Sequence, residues 1–201
     1  DGRQLTRTAS ASAADVGRAV TSARAAFDDG RWSRRAPAER KRVLHRLADL
    51  IEANVEKLAM IECLDMGMLL ESLRLRVILR GAANFRNYAD LASEHQERVW
   101  SSRGTANRVI RMPAGPTLII TPWNAPFMLS TWKCAPALAA GNTVILKPAD
   151  WSPLSASLLG DLIEEAGFPA GVFNIVQGLG AELGNALTSD PRIKRISFTG
   201  S

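Results

Sequence analysis

Cysteine and histidine are scarce in this sequence, with two of each in 201 residues. Cys63 and Cys134 stand far apart, so there is neither a disulfide framework nor a paired metal-ligand motif. His45 and His95 are equally isolated on polar helical stretches, which leaves no candidate metal site. Long apolar runs are missing as well. The strongest, TLIIT and TVILK, are only strand-sized, and DGRQLTRTAS at the start has no apolar signal region. The expectation is a cytoplasmic protein with reduced thiols and no membrane partner.

What is present begins with an apolar fraction of 46%, ordinary for a chain with a real core. The length fits one large domain, or one domain with an appendage. The formal charge of +5 and a sequence pI of about 9.8 raise the question of a nucleic-acid partner. The basic residues do not cluster, however. They are spread through RRAPAERKRVLHR, a helix in the 70s and the 98–111 stretch, interleaved with acids and apolar positions. With no DNA- or RNA-binding signature either, a solvated surface is expected and a nucleic acid is not.

Residues 1–96 read as helical. AADVGRAVTSARAAF forms one helix, stopped by Asp28-Asp29-Gly30. From Pro37 a longer one carries Leu44, Leu47, Ile51, Val55 and Leu58 at steps of three and four, and runs out near Asp65-Met66-Gly67. A third covers about 70–92. Residues 97–113 change character: ERVW and NRVIRM flank SSRGT, a hairpin that either pairs with another subunit or is a plain surface feature. Residues 114–201 then alternate. The strands are TLIIT, TVILK (143–147), VFNIV (172–176) and KRISF (194–198), and the helices span about 127–139, from Ser152-Pro153 to Gly167, and 180–188. Gly141-Asn142 marks the end of the first of these helices; Ser152-Pro153 reads as the cap and first turn of the second. This order specifies an α/β fold, an open parallel sheet with helices on its faces, preceded by N-terminal helices and a β-hairpin.

In such sheets ligands bind beyond the carboxyl ends of the strands. The residues there are Thr121-Pro122-Trp123-Asn124, Lys147-Pro148-Ala149-Asp150, Gln177-Gly178-Leu179-Gly180 and Thr199-Gly200-Ser201. Pro122 and Pro126 stiffen the connector that carries Trp123 and Asn124, so the Asn124 amide is aimed in a set direction. Lys147 and Asp150 suit the hydroxyls of a ribose, or else form a surface ion pair of little worth. Gly178, Gly180 and Gly184 let backbone approach a flat ring, although a lone GxG usually marks a turn. Thr199-Gly200-Ser201 would open a helix whose free N–H groups suit a pyrophosphate. A GxGxxG fingerprint is absent, so this is not a standard first βα turn of the Rossmann kind.

TPWNAP, WKCAPALAAGNTVILKPAD, EEAGFPAGVFNIVQG and ISFTGS together resemble consecutive motifs of the NAD(P)-dependent aldehyde dehydrogenases, and WSRRAPAERKRVLHRLADLIE and FRNYADLA agree. ITPWNAPFMLSTWK and KPADWSP are most similar to the semialdehyde dehydrogenases of aromatic degradation, such as the 5-carboxymethyl-2-hydroxymuconate type. The resemblance implies the doubly wound, Rossmann-like sheet of that family. It implies NAD as cofactor, with NADP as the alternative, and a small aldehyde as substrate. Oxidation to the acid runs through a cysteine thioester.

Each strand end has its counterpart in that family. Asn124 matches the amide that stabilises the oxyanion, and Thr121, Pro122 and Trp123 match the wall of the cofactor cleft. Lys147 and Asp150 match the adenosine-ribose pair, where relatives more often carry glutamate; a carboxylate there favours NAD over NADP. Gly178, Gly180 and Gly184 match the adenine side, and Thr199 and Ser201 the nicotinamide and phosphate contacts. Lys133 matches a lysine near the active centre, or else is a partly exposed helix residue. The hairpin matches an oligomerisation element, so a homodimer or homotetramer is expected. The family's nucleophilic cysteine and general-base glutamate lie downstream of FTGS, so the chain reads as truncated and inactive alone. Cys134 and Cys63 are structural thiols and not replacements for the nucleophile. Met66-Gly67-Met68-Leu69 departs from the usual Gly-Lys-Pro turn, a matter of packing. The alternative is a non-catalytic nucleotide-binding or interaction module.

Overall fold

The computed structural model describes residues 4–94 and 98–200, so the expectations for His95 and Ser201 lie outside the described residues. Helix α1 (Ala13–Asp28) opens on a capping box, Ser12 accepting from Asp15 N–H while Asp15 accepts from Ser12 N–H. The expected single long helix is two, α2 (Pro37–Ala53) and α3 (Val55–Met66). The break is at Asn54, whose side-chain amide donates to Leu50 O at 2.9 Å and competes with the backbone for that carbonyl. The stripe nevertheless continues inward: Leu44, Leu47, Ile51 and Leu58 are all buried. Gly67, at φ 83°, ends α3 in the left-handed conformation.

The third helix is also segmented, as α4 (Leu70–Ser72), a π-helical stretch (Leu73–Val77) and α5 (Ile78–Glu94). Strands β1 (Arg98–Ser102) and β2 (Thr105–Val109) pair antiparallel. Arg103 and Gly104, both at positive φ, form the two-residue turn between them, whose twist suits a hairpin.

The main sheet contains β3 (Thr117–Ile120), β4 (Val144–Lys147), β5 (Phe173–Ile175) and β6 (Arg195–Phe198), all parallel, in the order β5-β4-β3-β6. Helices α6 (Pro126–Ala139), α7 (Leu154–Glu165) and α8 (Gly180–Thr188) make the crossovers. Alternate strand residues face opposite layers. Leu118, Ile145 and Val176 pack with Val16, Val20, Leu183 and Leu187 of α1 and α8. Ile119, Val144 and Leu146 face the larger cluster with Phe127, Leu138, Leu159 and the buried stripes of α2, α3 and α5. The sheet is therefore covered on both faces, the doubly wound architecture expected from the sequence. The chain steps outward from β3 to β5 and returns to β6 on the other side of β3, so the order of the parallel strands reverses between β3 and β6.

Helix α6 ends in a full Schellman motif. Gly141 N donates to Leu138 O at 2.9 Å and Asn142 N to Ala137 O at 3.0 Å. Two side chains distant in sequence add to it: Trp32 Nε1, from the turn between α1 and α2, donates to Leu138 O and Arg40 Nε of α2 to Ala139 O, each at 3.0 Å.

One cap differs from its sequence reading. Ser152 does not cap α7, which starts at Leu154 without a side-chain cap from its own flank. Ser152 Oγ donates instead to Trp123 O at 3.0 Å, and Leu154 N–H is taken by Asp65 at 2.9 Å.

Candidate active site at the carboxyl edge of the sheet

Parallel register sets the four strand ends side by side. Ile120 lies opposite Lys147 on one flank and Phe198 on the other, while Leu146 pairs with Ile175. Backbone bonds carry the pairing past the strands: Thr121 N to Lys147 O (3.2 Å), Thr199 N to Ile120 O (3.1 Å) and Val176 N to Leu146 O (2.9 Å). The segments singled out from the sequence, up to Gly200, therefore share one edge of the molecule.

Thr121 is buried and its Oγ1 meets Ser130 Oγ at 3.2 Å, beneath the surface. Pro122 is half-buried, whereas Trp123 is 55% exposed and Asn124 is exposed. The Asn124 amide has no hydrogen-bond partner among the described residues, so both its donors are free for a ligand.

On the other side of β4, Pro148, Ala149, Asp150, Pro153, Gln177, Gly178 and Leu179 line a pocket of about 260 Å3. Asp150 is exposed there. Lys147 is 4% exposed, and its Nζ donates to Pro148 O at 3.0 Å. Burial lowers the Lys147 pKa, partly offset by the Asp150 charge. The two side chains make no contact ion pair, which removes the surface-pair reading. At Gly178, with φ 145°, an added Cβ would come within 2.7 Å of Leu183 Cδ1, so a side chain here would be strained and would crowd α8. Gly180 is the first residue of α8 and Gly184 lies four residues along it.

The pocket has a third wall, one that no motif announces. Thr8, Ala9 and Ser10 line it, and Ala11 N donates to Gln177 O at 2.8 Å.

Thr199 lines a second cavity, of about 450 Å3, with Tyr88, Leu129, Trp132, Lys133, Pro136 and Ser197. Lys133 is half-buried and donates from Nζ to Ser197 Oγ at 3.1 Å. Between them the two cavities collect Asp150 with Gly178, and Thr199 with Lys133; the Thr121–Asn124 turn leaves β3 between those strand ends.

Neither thiol lines the two cavities. Cys134 is fully buried in α6, and burial pushes its pKa up, offset slightly by Lys133. It is no nucleophile in this state. Among the described residues no three His, Cys, Asp or Glu side chains gather to hold a metal ion. His45 is not isolated in space, since its Nε2 lies 2.7 Å from Asp90 Oδ1, which also takes Lys41.

Two carboxylates beneath the site were missed from the sequence. Glu62 is completely buried and accepts from Phe127 N at 3.1 Å, and Asp65 holds Leu154 N. Burial is the main reason the Glu62 carboxyl is pushed up to about 7; the Ser155 hydroxyl and the Phe127 N–H oppose it and the Asp65 charge adds to it. The available signal was an acid three and four residues after Ala59 and Leu58, a spacing that shares their buried face of α3.

The aldehyde dehydrogenase family profile matches residues 1–201. The chain belongs to the aldehyde dehydrogenase family. It is 45% identical over 199 residues to the NADP/NAD-dependent aldehyde dehydrogenase PuuC of Escherichia coli (strain K12), covering 98% of this chain and 40% of that protein. It is 43% identical over 207 residues to the 2-hydroxymuconic semialdehyde dehydrogenase of Pseudomonas sp. (strain CF600), covering 100% of this chain and 42% of that one. A crystal structure of indole-3-acetaldehyde dehydrogenase in complex with NAD+ superposes with a TM-score of 0.95 at 42% identity, over 98% of this chain and 40% of that one. The chain thus spans about two fifths of the length of these aldehyde dehydrogenases. Among the described residues no helix is long and apolar enough to cross a membrane.

Proposed function

We propose that this chain is the cofactor-binding part of an NAD-dependent aldehyde dehydrogenase that oxidises an aldehyde to the carboxylic acid. The observation that carries the reading is the free Asn124 amide at the carboxyl end of β3, beside the β3/β6 reversal and next to the strand end that leads into the Asp150 pocket. Relatives named for muconic semialdehydes support a semialdehyde as substrate.

The residues present fit a dinucleotide. Asp150 offers an exposed acceptor for ribose hydroxyls and Gly178 a close approach without a side chain, while Lys147, buried with its Nζ on Pro148 O, would serve once that group turns outward. Gly180 and Gly184 of α8 would take the adenine side, Trp123 and Pro122 the cleft wall, and Thr199 the nicotinamide and phosphate side. Bound NAD would supply the hydride acceptor. The Asp150 carboxylate repels a 2′-phosphate and so sets NAD above NADP. Asn124 donates from its side-chain amide to the aldehyde oxygen as negative charge develops there, and the stiff connector spares it any reorganisation. Cys134, buried in α6, is not the attacking thiolate; in the family's motif order that thiolate and the base that activates water follow FTGS. The hairpin, with Val99 and Trp100 exposed, is the oligomerisation element of a cytoplasmic homodimer or homotetramer.

Trp123 and Trp151 are 55% and 78% exposed and provide the assay. Titration with NAD quenches their fluorescence, NADP binds more weakly, and Asp150→Ala narrows the gap between the two. No quenching at millimolar NAD would refute the reading. In the whole enzyme, Asn124→Ala lowers kcat by roughly 10²–10³ with bound cofactor unaffected.

A further inference from the structure

Neither helix that follows the two central strands caps itself. Helix α6 begins Ala125-Pro126 and α7 begins at Leu154, and neither has a side-chain acceptor at its own N-cap. Their first free N–H groups are met from α3. Glu62 Oε2 takes Phe127 N–H at 3.1 Å, and Asp65, one turn later, takes Leu154 N–H at 2.9 Å. Ser152 Oγ joins the two connectors by donating to Trp123 O at 3.0 Å. The result is a closed circuit running Glu62, Phe127, Trp123, Ser152, Leu154, Asp65 and back along α3. Asn124 sits inside it, between Trp123 and Phe127, with its amide the free group.

Packing alone does not account for a carboxylate at this point. Glu62 is the only completely buried acid among the described residues, and its Oε1 has only the neighbouring Ser155 hydroxyl to turn to, without a well-formed hydrogen bond between them. Burying such a group is costly, and an apolar side chain of the same size would avoid that. What the carboxylate adds is a directed bond to a helix N-terminus, where the partial positive charge of the backbone favours it. That bond fixes the residue three positions after Asn124.

We infer that Glu62 and Asp65 are positioning residues for the Asn124 amide, acting through the N-termini of α6 and α7. The inference rests on the role proposed for Asn124. Glu62 touches neither substrate nor cofactor. Its effect therefore falls on the geometry of one donor, where a displacement of about 1 Å can cost up to a hundredfold in rate.

A double-mutant cycle in the whole enzyme tests this, with amide hydrogen exchange as a readout independent of turnover. Glu62→Ala lowers kcat by about tenfold or more, while KM for NAD stays within about twofold, because the Asp150 pocket is untouched. Glu62→Gln keeps an acceptor for Phe127 N–H and restores most of the rate. In an Asn124→Ala background Glu62→Ala costs nothing further, since the group it positions is gone. Exchange at the Phe127 amide accelerates in Glu62→Ala and not in Glu62→Gln. Asp65→Ala is run in the same cycle and serves if Glu62→Ala fails to fold. If Asn124→Ala is impaired but the second mutation adds its full loss, or costs nothing in the parent, positioning is refuted. If Asn124→Ala itself leaves kcat unchanged, the role proposed for Asn124 falls, and this inference with it.

Discussion

Replacing Glu62 with glutamine changes how the stability of this protein depends on pH, and the size of the change follows from burial. The carboxyl is completely buried, and its pKa is raised from 4.5 to about 7. Below pH 4.5 it is protonated in both folded and unfolded chains and contributes no pH dependence. From there to about pH 7 the unfolded chain ionises while the folded one keeps its proton, so stability falls as pH rises. Above pH 7 both forms are ionised and the loss is complete. At about 1.4 kcal/mol for each tenfold change in proton affinity, the loss is on the order of 3 kcal/mol. Asp65, whose pKa is also raised by burial, acts in the same direction in parent and variant and largely cancels between them. Glutamine keeps the shape and the acceptor but cannot ionise. Urea denaturation from pH 4.5 to 8 then shows the two proteins converging in acid, with Glu62→Gln the more stable by about 3 kcal/mol at pH 8. Parallel curves across that range would mean that the carboxylate is not held in an apolar, water-poor setting.

Gly81→Ala runs against helix propensity. Alanine normally gains up to about 1 kcal/mol over glycine in a helix interior, but here the added Cβ lies 2.5 Å from Cε1 of the buried Phe127. Overpacking of about 1–3 kcal/mol wins, and the urea midpoint falls; a rise would show that Phe127 can step aside freely. Cys134 resists a thiol reagent such as dithionitrobenzoate in the native protein and reacts once the chain is unfolded, whereas native labelling at Cys134 would contradict its burial in α6.

Much of this arrangement is readable from local pattern. Alternation and β-branching mark the four strands within a residue or so at each end. Gly141 and Gly167 sit at the left-handed ends of α6 and α7, where backbone conformation alone selects glycine. The polar strand ends follow from the parallel order, since every carboxyl terminus then points the same way. What escaped the sequence depends on distance along the chain. Nothing near Phe127 announces that its N–H is met 65 residues upstream. Ser152 looks like a cap because serine before proline usually is one, and only the proximity of Trp123 O diverts its hydroxyl. Asn54 breaks an apolar stripe that runs on without interruption, so periodicity could not show the boundary. The wall formed by Thr8–Ser10 carries no motif at all, being placed by one backbone bond to Gln177.

The fastening of α6 has a kinetic consequence. Its trailing carbonyls wait for Trp32 and Arg40, 106 and 99 residues earlier, and its leading N–H for Glu62. Contacts that close loops of this length form late. The helical layer leaves the ribosome first and is assembled before α6 arrives, as vectorial synthesis favours. The Asn124 amide then becomes oriented only when that docking step is finished, so the free group at the end of β3 takes up its direction after the helical layer has formed and not together with it.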